Sequence, residues 1–213
     1  ERQHRPEVVA LGRVVVDDIE DDLDAGLVHR LDHALELVDL LAALAALASQ
    51  AVFEFGPLCL ISLHAPAAAF GPYWAALVAT LGLGGYLTSR LPLEHRGPLL
   101  ALAIALAATP ILLGISNSVI AVAISQTAFL IAAAIVGIRA GLLLHDAVPS
   151  AIRAGVSSGV GTLSWVLFLP FSLLLGWLIR AHGVHAAGWV LLSVAVLLAV
   201  LLAASARRQP APA

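Results

Sequence analysis

The sequence predicts an all-α membrane protein, a bundle of six transmembrane helices behind an N-terminal cytoplasmic amphipathic segment. Three observations predict it. First, 61% of the 213 residues are hydrophobic and only 12% are charged, against roughly 45–50% and about 25% in soluble domains. Second, Leu40–Leu63 runs 24 residues with one acid, Glu54, and no base. At ~1.5 Å per residue such a helix crosses a ~30 Å hydrocarbon core. Third, eleven of the 14 acids fall within residues 1–39, leaving Glu54, Glu94 and Asp146 for the rest of the chain. The net charge of −3 therefore describes an acidic head on a weakly basic, apolar body.

This balance excludes nucleic acid as a partner, because no basic face exists to neutralise phosphates. The one cysteine, Cys59, makes neither an internal disulfide nor a zinc framework, and reads as a small buried residue. All 11 basic residues are arginine, a choice without a physical account. There is no methionine and no signal peptide pattern, and the chain reads as a piece of a longer protein.

Residues 1–39 form an acidic cytoplasmic linker. Val8–Val16 is β-branched and too short to span a membrane as a helix. Asp17–Asp24 holds six carboxylates in eight residues but lacks the spacing and turn glycine of a calcium loop, so it reads as a solvated charge run. Leu23, Leu27, Leu31 and Leu35 recur every fourth residue and make one face of an amphipathic helix that runs into the first span. His29 and His33 share a face of that helix and read as a solvent-facing polar pair.

Residues 40–206 form the six-span body. Leu40–Leu63 is followed by Ala68–Ser89, where Tyr73 and Trp74 mark the headgroup level. Pro98–Ile115 follows the charged turn Arg90–Gly97. Val119–Gly137 continues helically to about Leu144. A helix from Ser150 through Arg153 leads into Val156–Leu178, which Pro170 kinks. Gly188–Ala206 is the sixth span, and residues 207–213 are a disordered cytoplasmic tail. With the head inside, Arg90, Arg96, Arg139, Arg153, Arg207 and Arg208 lie on the inner side and only Arg180 on the outer side. That asymmetry places both ends in the cytoplasm.

Three stretches carry candidate chemistry. The first is Phe53–Pro57. Glu54 lies about two thirds through its span, and an ionisable residue at that depth is a functional candidate by default. Gln50 lies one turn away on the same face. Phe53 and Phe55 flank the acid, which suits apolar or cationic substrates. Pro57 removes a helix hydrogen bond near Phe53, and transporters use such interruptions to line cavities. The second is Gly82–Arg96, where Gly84 and Gly85 permit close helix approach and Arg90 anchors the turn in the anionic interface. The third is Val148–Ser164, where Pro149 and Arg153 precede a small-residue face made by Gly155, Ser157, Ser158, Gly159 and Gly161. That face serves either static packing or a sliding interface. Gln126 either faces a cavity or bonds between helices, and Arg139 and Asp146 read as interface anchors.

Gly84, Gly85 and Arg90 resemble the cytoplasmic turn signature of the major facilitator superfamily, with Ser89 where the family places an acid. Pro149 and Arg153 resemble the start of that family's eleventh helix. The resemblance covers roughly residues 40–206 and is closest to the drug–proton antiporter branch, with residues 1–39 as the central cytoplasmic loop. It implies half of a major-facilitator fold, the C-terminal six-helix half of a multi-pass plasma membrane transporter. It further implies proton-linked efflux of small molecules, lacking here the N-terminal six-helix half. It implies no cofactor, no metal and no enzymatic activity. Glu54, Gln50, Phe53, Phe55 and Gln126 are then the candidates for proton coupling or substrate contact. An integral membrane enzyme and a non-transporting six-helix scaffold are the alternatives.

Overall fold

The computed structural model describes residues 25–93, 95–148, 150 and 153–206. It is all-helical, with no strand among the described residues. Val8–Val16, the run Asp17–Asp24, Pro149 and the tail from residue 207 lie outside the described residues, as do the side chains of His29 and His33. Two units divide the chain, Glu1–Glu36 and Leu37–Ala213. Of the first, residues 25–36 are described, and they are helical. The second contains the packed helices.

Among the described residues, six helices are long and apolar enough to cross a membrane. They are α1 (Ala25–Ser62), α2 (Phe70–Arg90), α3 (Arg96–Ile115), α4 (Val119–Ala147), α5 (Arg153–His182) and α6 (Ala186–Ala206). The helix of the amphipathic segment runs into the first span, since α1 begins at Ala25 and ends at Ser62. Proline does not break the helices: Pro57, Pro110 and Pro170 all sit inside α1, α3 and α5.

Local chemistry sets the helix ends. At the end of α1, His64 takes a left-handed conformation with φ 57°. The Ala65 amide donates to the Leu60 carbonyl at 3.0 Å and the His64 amide to Ile61 at 3.0 Å. These two bonds close the helix in the Schellman manner, and Pro66 then stops it. Gly183, with φ 83°, ends α5 by donating to the Ile179 carbonyl at 2.8 Å. The Ser118 hydroxyl caps α4 by accepting from the Ala121 amide.

Packing rests on small residues that let backbones meet. A side chain on Gly188 of α6 would overlap the Gly114 backbone and the Pro110 carbonyl of α3. A Cβ on Gly84 of α2 would stand 2.7 Å from the Ala134 Cβ of α4. A Cβ on Gly137 of α4 would meet Ala45 of α1 at 3.5 Å. Helices whose outer surface meets lipid gain no hydrophobic drive towards one another, so close van der Waals contact and hydrogen bonds hold them. The pairs α3–α6, α2–α4 and α3–α4 make the broadest contacts. The core they share includes Phe129, Leu106, Leu77, Leu198 and Val136. Burial is uneven: 44% of the most apolar stretch of α1 and 50% of that of α4 are buried, but only 22% for α2 and 11% for α5.

Gly188→Ala should therefore push α3 and α6 apart. Overpacking of this kind costs about 1–3 kcal/mol, so thermal unfolding of the purified variant in detergent should begin several degrees below that of the parent. Gly97→Ala, where an added Cβ meets nothing within 4 Å, should unfold with the parent.

Candidate functional site

The site is built on the second half of the α1 span. Helical spacing puts Val52, Gly56 and Cys59 into the bundle, all buried, while Glu54, Leu58 and Ile61 face outward. Glu54 is exposed, and its Oε1 accepts a hydrogen bond from Gln50 Nε2 at 2.9 Å. The pair expected from their one-turn spacing is thus formed. On one side, the Phe53 ring stacks on Trp74 of α2, with centroids 6.2 Å apart and planes at 21°. On the other side, Phe55 lies by α5, its Cε1 atom 3.9 Å from where a Cβ on Gly176 would be. α1 is therefore flanked by α2 and α5, the two least buried spans, and Glu54 projects from between two aromatic flanks. α1 continues through Pro57 to Ser62, so no unwound segment adjoins the acid.

Gln126 belongs to a different place. It is 2% exposed, and its Oε1 accepts from the Tyr73 hydroxyl at 2.6 Å. The Cys59 thiol donates instead to the Phe55 carbonyl of its own helix at 3.6 Å. Gly56 leaves the room for this group, since a Cβ there would overlap the Tyr73 hydroxyl and stand 3.2 Å from Gln126 Oε1. Three helices are joined at this point, and the adjacent Ser125 hydroxyl adds a fourth by donating to the Thr109 carbonyl of α3 at 2.5 Å. Of the two roles open to Gln126, the structure gives it the bond between helices, on the opposite face of α1 from Glu54.

Trp74 is exposed, as a headgroup-level ring would be, but Tyr73 is turned inward and buried. Nothing in the sequence pairs Tyr73 with Gln126, 53 residues later. The signals available were a glycine one turn before Cys59 and a lone glutamine in an apolar run. Beside this knot an apolar groove of about 560 Å³ opens between α2 and α4, lined by Leu60, Tyr73, Ala76, Ala123, Thr127 and Ile131 among others.

The two turn motifs are structural at most of their described positions. Gly84 is buried against Ala134, whereas Gly85 has only the Ile138 side chain at 4.0 Å. Arg90, in the last turn of α2, lies over the Tyr86 ring, 5.3 Å from its centroid. Arg153 Nη2 donates to the Val148 carbonyl at 3.2 Å, and its Nε is buried without a partner. Gly155, Ser157, Ser158, Gly159 and Gly161 are exposed on α5. Among the described residues no three metal-ligating side chains converge.

The chain matches no protein-family profile, no curated protein and no solved structure.

Tyr73→Phe would leave the buried Gln126 carbonyl without its donor. An unmade buried hydrogen bond costs about 1–3 kcal/mol, so this variant should lose thermal stability. Adding Gln126→Leu should restore part of the loss, because the orphaned amide is then gone. A double-mutant cycle on melting in detergent measures both.

Proposed function

We propose that this chain is the C-terminal six-helix half of a secondary active transporter of the major facilitator type. It exports small molecules in exchange for protons. The observation that carries the reading is Glu54, a carboxylate exposed about two thirds through its span and hydrogen-bonded to its helical neighbour Gln50. It lies on a face framed by the two least buried helices. A charge or unpaired polar group in hydrocarbon is costly, and such residues face a bundle interior or a water-filled cavity. A second six-helix bundle on this face would supply both. The pair would then enclose a path near the midplane and open it alternately to each side.

Several features support the same reading. Phe53, Trp74 and Phe55 offer apolar walls beside the acid. The open small-residue face of α5 suits a helix that slides on a neighbour. The arginine asymmetry supports a plasma membrane protein with both ends of the chain in the cytoplasm. The protein's partners are then the lipid bilayer, the N-terminal six-helix half, a small-molecule substrate and protons.

Two measurements test this. Proteoliposomes holding only this chain should show no proton-dependent substrate flux, since the cavity needs both bundles; measured flux would contradict the half-transporter reading. In the intact transporter, Glu54→Gln should abolish the dependence of flux on a pH gradient while leaving substrate binding within a few-fold. Unchanged flux and pH dependence would remove Glu54 from the mechanism.

A further inference from the structure

We infer that Ser157 and His145 form a nucleophile–base pair that cleaves acyl esters at the membrane boundary. The inference does not need the transport reading and uses none of Gln50, Phe53, Glu54, Phe55 and Gln126, although Arg153 and the small-residue face of α5 enter both.

His145 lies in the last turn of α4 and Ser157 in the second turn of α5. Ser157 Oγ stands 3.4 Å from His145 Nε2, and both residues are exposed. With the ring proton on Nδ1, Nε2 accepts from the hydroxyl. Nucleophile–base contacts of this length tighten when substrate binds. The contact sets Ser157 apart from other hydroxyls in these helices. Ser49, Ser62, Thr109, Thr162 and Ser164 each donate to the carbonyl four residues back. That is how a helix hydroxyl satisfies itself in apolar surroundings. Ser157 reaches instead for the ring of another helix.

There is room for a substrate around it. Ser157 is exposed, and at Gly161, one turn further on the same face of α5, an added Cβ meets nothing within 4 Å. The spacing Gly155–Ser157–Gly159 is that of the G-x-S-x-G nucleophile motif. Here it lies on a helix rather than on a strand-to-helix elbow, so distance and open space carry the argument. No carboxylate bonds His145 among the described residues, and the pair would act as a dyad.

Depth selects the substrate. Ser157 is four residues from the start of α5, or ~6 Å at ~1.5 Å per residue. The interfacial zone of a leaflet is about 5–7 Å deep, so Ser157 reaches the level of the ester carbonyls of membrane lipids. Arg153, one turn earlier on the same face, offers a cation to the lipid phosphate.

The reaction balances without a further reagent. Ser157 Oγ attacks the ester carbon as His145 Nε2 takes its proton. The bond from that carbon to the glycerol oxygen breaks, and His145 returns the proton to this oxygen. Water, deprotonated by His145, then attacks the acyl-serine. The fatty acid leaves and Ser157 regains its proton.

The test uses the purified chain in vesicles of phosphatidylethanolamine and phosphatidylglycerol, treated with an alkyl fluorophosphonate and read by intact mass. The expected result is one adduct on Ser157 and none in Ser157→Ala. His145→Ala should label at least about 100-fold more slowly, the usual contribution of a general base. Ser193→Ala, whose hydroxyl donates to a carbonyl of its own helix, should label at the parent rate. The parent should release fatty acid from the vesicles, and Ser157→Ala should not. No adduct on the parent, equal labelling or release by Ser157→Ala, or no slowing in His145→Ala would overturn the proposal.

Discussion

Hydrocarbon supplies no hydrogen-bonding partner, and the arrangement of polar groups in this chain follows from that constraint. Each of the six apolar segments closes its backbone into a helix, which is one of only two ways to satisfy amides within a bilayer. Hydroxyls follow the same rule. Ser49, Thr88, Thr109, Thr127 and Ser193 each donate to a carbonyl of their own helix. Of the polar side chains that point inward, Tyr73 finds Gln126 and Ser125 the Thr109 carbonyl on other helices, while Thr80 and Ser164 bond carbonyls of their own. Against this background Glu54 stands out as a carboxylate exposed within a span. One of its oxygens is met by Gln50, and its face of α1 is left open by the bundle.

The same solvent explains why glycine and alanine occupy the contacts. Apolar bulk gives no advantage inside over outside when the surroundings are themselves apolar, so association depends on close approach. Gly84 against Ala134, Gly137 against Ala45 and Gly188 against Gly114 bring helix pairs together. Gly56 serves differently, since it makes space for the Tyr73 hydroxyl to reach Gln126. Large residues such as Leu173, Leu169 and Ile120 are left on the outside, where lipid or another bundle can cover them.

Helix number and limits were legible because they depend on runs of apolar residues, which are local. The spans expected from Ala68, Pro98 and Val119 begin within two residues of the observed α2, α3 and α4. The Gln50–Glu54 bond was legible for the same reason, being one helical turn long. What joins distant segments was not. Tyr73 resembled its neighbour Trp74 by position in the chain, and only the packing of α1, α2 and α4 turns one ring inward and the other outward. Gln126 left two roles open until that packing assigned one. The Ser157–His145 contact depends on how the ends of α4 and α5 meet, which no spacing rule predicts. The run of the amphipathic helix into the first span was also legible, because the leucine spacing continues the same helical period, and α1 passes through Asp32, Glu36 and Asp39.

The central claim is that the face of α1 carrying Glu54 borders a water-filled path rather than lipid. Cysteine labelling in native membranes tests it directly, using Glu54→Cys in a Cys59→Ala background. Position 54 should react with a charged, membrane-impermeant maleimide, at a rate that substrate changes, while Ile104→Cys, on the exposed side of α3, should react slowly in the same background. Reaction of position 54 only with a lipid-soluble maleimide, at the rate seen for position 104, would contradict this.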